Sequence, residues 1–113
     1  MTATYDFEAG QGETFDRTVT WKIDNVAVNI TGYTARMQIR KTHRSTSALV
    51  SLTQASGLTL GGSAGTIQIV ISATATAALT AGRYVYDLEL VSGEGRVKRL
   101  LEGAFVLTPE VTR

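Results

Sequence analysis

Apolar and polar residues alternate along four segments of the chain. Residues 33–40 are the clearest case, and residues 14–23, 66–71 and 83–91 follow the same two-residue period. Arg17 is the one residue that interrupts the apolar series of its segment. Because successive side chains of a strand point to opposite faces, this period predicts four β-strands, each with one buried face.

Turn-forming residues separate these segments, and weaker strand patterns lie between them. We expect further strands at residues 4–8, 48–53, 96–101 and 104–108. The last two lie on either side of Gly103, which is typical of a β-bulge within one bent strand. Short strands at this spacing, joined by glycine-rich turns, predict antiparallel hairpins.

One short helix is predicted at residues 73–79, where Ser72 can act as N-cap and Gly82 can end the turn. The inventory is therefore about seven to eight antiparallel strands with one connector helix, in one domain spanning residues 1–113. This is an all-β sandwich inventory, commonly of immunoglobulin-like topology. The apolar strand phases predict a shared core formed by Phe15, Trp21, Met37, Ile39, Ile69, Tyr86 and Leu88.

The composition narrows the chemistry that the chain can perform. Its 113 residues carry a net charge of +1, one histidine and no cysteine. Thiol catalysis and thiolate metal sites are therefore excluded, and no global field attracts nucleic acid or lipid. The first residues lack the pattern of a secretory signal, and no segment has the apolar length of a membrane span. We expect a soluble protein made in the cytoplasm.

The candidate catalytic residues have structural explanations. His43 lies in a polar, basic stretch that offers no orienting partner, which favours a solvated loop. Asp87 and Glu89 share one strand face and are typical of a wet sheet surface rather than of an acid/base pair. The glycine-rich residues 61–65 lack the lysine and the following helix of a phosphate loop. The sequence predicts no enzymatic activity, no cofactor and no metal site.

A cluster of cations marks one predicted strand and the turn after it. Four cationic residues occur among residues 36–44 without an acidic residue, and His43 lies among them. A solvated hairpin tip, a contact with an acidic protein neighbour and a contact with a nucleic-acid backbone remain open for it. The candidate protein-contact residues are Arg36, Arg40, Lys41, His43 and Arg44.

Both ends of the chain have strand character. Residues 2–7 and 106–113 can offer unpaired strand edges that accept or donate a strand. The strand phases leave the aromatic residues of the first segment exposed. The candidate terminal contacts are Tyr5, Phe7, Val106 and Val111.

Several motifs in sequence order resemble a family of small tailed-bacteriophage proteins encoded in tail and baseplate gene neighbourhoods. The chain is also similar, more distantly, to the N-terminal immunoglobulin-like domain of phage baseplate upper proteins. The resemblance spans almost the whole chain. It is carried by YDF at residues 5–7, QGETF at 11–15, Trp21, ITGYTARMQIR at 30–40, AGRYVYDLEL at 81–90, RLLEG at 99–103, Phe105 with Val106, and PEVTR at 109–113.

This resemblance implies a virion structural or adaptor subunit, most readily in the tail or baseplate, without catalytic residues. It implies other virion proteins as partners, a symmetric oligomer within the particle, and no membrane or nucleic-acid partner. A capsid decoration or head-to-tail connection protein and a host-receptor domain that binds carbohydrate remain alternatives. Surface aromatics discriminate the last of these, and the strand phases of Trp21 and Tyr33 predict that both side chains are buried.

Overall fold

The computed structural model describes residues 3–111, which form two packed β-sheets, so Thr2, Thr112 and Arg113 of the predicted terminal segments lie outside the described residues. A 3-10 turn (Gly62–Ala64) precedes β9, and helix α1 (Ala73–Ala77) connects β9 to β10. The strands are β1 (Ala3–Thr4), β2 (Phe7–Gly10), β3 (Phe15–Thr20), β4 (Lys22–Ile23), β5 (Val26–Ala27), β6 (Thr34–Arg40), β7 (Val50–Thr53), β8 (Leu58–Leu60), β9 (Thr66–Ile71), β10 (Gly82–Val91) and β11 (Val97–Thr108).

The larger sheet has the strand order β1-β11-β10-β6-β7, with β2 also paired to β11, and the smaller sheet has the order β3-β9-β8. Strands β4 and β5 form a separate two-stranded hairpin. The prediction of antiparallel strands is confirmed for most pairs, but it is wrong for β1 and β2, which run parallel to β11. This pairing joins the two ends of the chain, so no local turn signals it.

The order of the strands is that of an immunoglobulin-like domain. Strands β3, β9 and β8 occupy the places of strands B, E and D, and β11, β10 and β6 those of G, F and C. Tyr84, at the start of β10, donates its hydroxyl hydrogen bond to the carbonyl oxygen of Thr80, as in the tyrosine corner of these domains. The predicted immunoglobulin-like β-sandwich is confirmed.

Aromatic rings connect the two sheets where many immunoglobulin domains have a disulfide. Phe15 on β3 lies 5.3 Å from Phe7 and 5.2 Å from Phe105, measured between ring centroids, and Phe7 lies 5.0 Å from Tyr86. Rings at these distances attract one another beyond the area that they bury. A cysteine-free chain is therefore held across its sheets by packed aromatic side chains.

The strands predicted from alternation are present, and their apolar faces form the core. The predicted core residues Phe15, Met37, Ile39, Ile69, Tyr86 and Leu88 are all buried. Trp21 differs, because β3 ends at Thr20 and the indole packs half-buried at the margin of the core. Its backbone N–H donates to the Gly65 carbonyl oxygen at 2.8 Å.

The predicted strand over residues 14–23 is wrong in its last residues, which belong to the β4–β5 hairpin. Asp24 and Asn25 join the two strands with φ angles of 50° and 67°, a left-handed pair typical of a type I′ turn. The turn carries Ile23 and Val26 away from the core, and their side chains are 58% and 67% exposed.

The β-bulge in β11 lies at Leu100 and not at the predicted Gly103. Leu88 pairs with Leu101 and Glu89 pairs with Arg99, which leaves Leu100 without an opposite residue on β10. The glycine serves a different purpose, because the segment between β1 and β2 passes directly over Gly103.

The segment between β1 and β2 is anchored to the larger sheet by hydrogen bonds. The Tyr86 hydroxyl donates to the Tyr5 carbonyl oxygen at 2.5 Å, and the Ala104 N–H donates to Asp6 Oδ1 at 2.9 Å. Burial, reinforced by the nearby Asp6 carboxylate, raises the pKa of Tyr86, so its hydroxyl remains a donor.

Helix α1 begins at the predicted cap and ends two residues before the predicted end. The Ser72 hydroxyl accepts a hydrogen bond from the Ala75 N–H at 3.1 Å. Thr76, fully buried, donates to the Glu13 carbonyl oxygen at 2.8 Å and accepts from the Gly12 N–H at 3.0 Å. The helix thereby fixes the turn between β2 and β3.

Candidate interaction surfaces

The predicted basic tip is a loop at one end of the larger sheet, between β6 and β7. Lys41, His43 and Arg44 are exposed there, and the Lys41 ammonium lies 4.9 Å from the centre of the Tyr84 ring. The Arg40 guanidinium folds back and donates to the Ser45 carbonyl oxygen at 2.7 Å. The loop thus brings together four of the five predicted residues.

Arg36 is separate from this tip. It lies on the outer face of β6, where its Nε is 2.7 Å from Glu89 Oε1. Arg99 lies 3.5 Å from Asp87 and 3.6 Å from Glu102. Burial and the neighbouring Glu89 carboxylate raise the pKa of Asp87, while Arg99 opposes that shift. The two predicted carboxylates are therefore members of a mixed-charge sheet face.

Two of the four predicted terminal contacts are exposed, and two are not. Tyr5 is 56% and Val111 92% exposed, whereas Phe7 is buried in the core, so its prediction as a surface contact is wrong. Val106 pairs with Arg83 on one side and with Glu8 on the other. The C-terminal strand is therefore flanked on both sides, and its prediction as a free edge is also wrong.

An open strand edge lies instead along β3. Within residues 3–111, β3 pairs with β9 on one side alone. The bond from Trp21 to Gly65 continues this ladder, and ladder bonds fall on alternate residues of an antiparallel strand. Asp16, Thr18 and Thr20 therefore turn their backbone polar groups towards the open edge.

Arg17 covers part of this edge. Its guanidinium lies 4.8 Å from the centre of the Phe15 ring and donates to the Asp16 carbonyl oxygen at 3.0 Å. A charged residue on the inner phase of an edge strand opposes uncontrolled sheet-to-sheet pairing. The interruption of the apolar series by Arg17 was the sequence signal of this edge.

A groove separates β3 from the first strand of the larger sheet. We refer to it as the β1–β3 groove; its volume is about 240 Å³. It is lined by Ala3, Thr4, Tyr5, Phe7, Arg17, Thr18, Val19 and Leu101. Most of these side chains are apolar, and Arg17 supplies the one formal charge among them.

The β4–β5 hairpin forms a second apolar feature, which we call the β4–β5 arm (residues 22–27). Ile23 pairs with Val26, and the Val28 N–H donates to the Trp21 carbonyl oxygen at 2.9 Å. Alternation places these four side chains on one face of the hairpin. Trp21 and Val28 pack against the core, whereas Ile23 and Val26 continue the same apolar stripe into solvent.

A wide cleft of about 480 Å³ lies beside the base of the arm. The Trp21 and Tyr33 rings line it and meet edge to face, with centroids 6.2 Å apart. Strand phase correctly placed both rings on the inner face, but it could not show that they lie at its open end. The remaining lining residues are Ser92, Glu94, Arg96, Val97 and Lys98.

Metal-binding and membrane-spanning features were also sought in residues 3–111. No three histidine, cysteine or acidic residues come together there in a way that could hold a metal ion. The helices of this part of the chain are too short to cross a membrane.

Comparisons with known proteins add a limited finding. No protein-family model and no curated protein matches the chain. A solved structure from a photo-crosslinking study of multimeric cell-adhesive interactions of VGSC beta subunits matches with a TM-score of 0.43 and 15% identity, covering 95% of this chain and 92% of that chain. The surfaces of this chain are therefore interpreted from its own geometry.

Proposed function

We propose that this chain is a non-enzymatic virion subunit that binds neighbouring proteins in a symmetric tail or baseplate assembly. The observation that carries the proposal is the β4–β5 arm, whose exposed Ile23 and Val26 project from a small, well-packed sandwich. Contiguous exposed apolar side chains favour a protein-contact surface. The sequence resemblance to phage tail and baseplate proteins supplies the setting, namely a virion assembled in the host cytoplasm.

The basic loop between β6 and β7 suits the same function. Lys41, His43 and Arg44 project into solvent, while Arg40 is fixed by its bond to Ser45. Exposed charges of one sign increase the association rate with an acidic neighbour and contribute less to the final affinity. We assign the loop to steering, and the apolar arm to binding.

Virion composition tests this proposal. Purified particles are expected to contain the chain in stoichiometric amount, and particles assembled without it should lack a defined layer or appendage by cryo-electron microscopy. Arg44→Glu should slow incorporation, whereas Arg83→Glu, an exposed cation outside the loop, should not. Density on the capsid or at the neck would favour the decoration or connector alternative. Absence from virions despite abundance in infected cells would contradict a structural role.

A second function, carbohydrate binding by a host-receptor domain, is favoured by the Trp21–Tyr33 cleft. Partly exposed aromatic rings beside a carboxylate such as Glu94 can stack on a sugar and bond its hydroxyls. Trp21 is the single tryptophan, so its fluorescence reports directly on the cleft. Saturable quenching by one saccharide of a panel, lost in Tyr33→Ala and retained in Tyr5→Ala, would support this function. An unchanged emission throughout would reject it.

A further inference from the structure

The chain presents an apolar projection and an apolar recess that are both unoccupied within residues 3–111. The projection is the tip of the β4–β5 arm, where Ile23 is 58% and Val26 67% exposed. The recess is the β1–β3 groove, with Tyr5, Val19 and Leu101 in its lining. Because the arm tip is exposed, the groove is not filled by the arm of its own chain.

The charges of these two features are complementary. The turn at the arm tip carries Asp24, and the charged residue that lines the groove is Arg17. A carboxylate and a guanidinium brought together at the edge of an apolar contact select orientation and partner. Threonine backbone groups at the open β3 edge add donors and acceptors beside the groove.

We propose that the β4–β5 arm of one copy inserts into the β1–β3 groove of a second copy, with Asp24 meeting Arg17. Each copy then has one arm to donate and one groove to fill. Such a contact between different surfaces is heterologous, and it produces rings when the rotation closes and filaments when it does not. This inference rests on the proposed function, because it supplies the repeated contact of a symmetric assembly.

Two variants separate the two halves of the contact. Ile23→Thr combined with Val26→Thr removes the apolar arm surface and keeps β-branched residues in the hairpin. Thr18→Glu, at an exposed position in the groove, places a charge among its apolar side chains and repels Asp24. Leu49→Thr is the matched control, because Leu49 is 47% exposed in the loop before β7. Circular dichroism verifies that each variant is folded.

Analytical ultracentrifugation over a range of concentrations measures the outcome. The wild-type chain and Leu49→Thr are expected to associate beyond dimers, and the arm and groove variants each to associate at least about tenfold more weakly. The decisive sample is an equal mixture of the two variants, which should form a one-to-one heterodimer and nothing larger. In that mixture one intact arm meets one intact groove.

Several results would overturn the inference. A wild-type chain that stays monomeric, or an arm variant that associates as strongly as the wild type, would exclude the arm. A mixture that remains monomeric while the wild type associates would show that the arm contacts a surface other than the groove. These results leave the virion proposal separately testable: presence in particles without arm-dependent association removes this contact alone, and association without presence in particles removes the virion function alone.

Discussion

Replacing Phe105 by alanine is expected to lower the free energy of unfolding by about 3–5 kcal/mol. Phe105 is fully buried on β11 and contacts Phe15 of the opposite sheet at 5.2 Å. Its removal leaves a cavity where the two sheets are held together, and the flanking strands β10 and β2 limit collapse into it. Urea denaturation followed by Trp21 fluorescence measures the loss.

Tyr5→Ala is the matched aromatic control. Tyr5 contacts Phe7 edge to face at 5.1 Å, but it is 56% exposed. Its truncation removes a ring with little cavity, and the carbonyl oxygen that binds Tyr86 belongs to the backbone and remains. We expect a loss below about 1 kcal/mol. Equal losses in the two variants would contradict the assignment of Phe105 to the junction between the sheets.

The parts of the fold that could be predicted are those in which information is local. Strands β6, β9 and β10 alternate strictly, and one face of each is covered by the other sheet. The cap of α1 was also predictable, since Ser72 bonds a backbone group three residues away. Strand β8 was missed because its three residues are too few to display a period.

Alternation identifies which side chains share a face, but it does not identify what covers that face. Trp21 and Ile23 continue the inner phase of β3, and the structure preserves that phase along the arm. The opposite sheet ends before the arm does, so the same phase leads from a buried Phe15 through a half-buried Trp21 to an exposed Ile23. The interaction surface is thus an extension of the core pattern.

The errors at the chain ends have the same origin. A strand period cannot name the strand's partner, and the partners of Phe7 and Val106 lie about a hundred residues away along the chain or across a hairpin. Exposure was predicted from position near a terminus, whereas the two terminal segments satisfy each other's backbone groups. The basic loop was predictable because solvation of clustered charge is a local property.

Gly103→Ala is expected to destabilise the fold through the N-terminal segment. A Cβ at this position collides with the Tyr5 carbonyl oxygen and approaches Asp6 Oδ1 to 2.9 Å. The carbonyl is backbone and already accepts the Tyr86 hydroxyl, so the segment must move as a unit. Overpacking together with the loss of a buried hydrogen bond predicts a cost of about 2–4 kcal/mol.

Gly93→Ala controls for the general effect of adding a methyl group, because its nearest neighbour lies at 3.7 Å, an ordinary contact distance. Hydrogen exchange should show the amide of Ala104, which donates to Asp6, losing protection in Gly103→Ala and keeping it in Gly93→Ala. Since Tyr5 also lines the β1–β3 groove, the displaced segment should weaken self-association as well. Full stability and unchanged exchange in Gly103→Ala would mean that β1 and its following residues do not rest on β11 in solution.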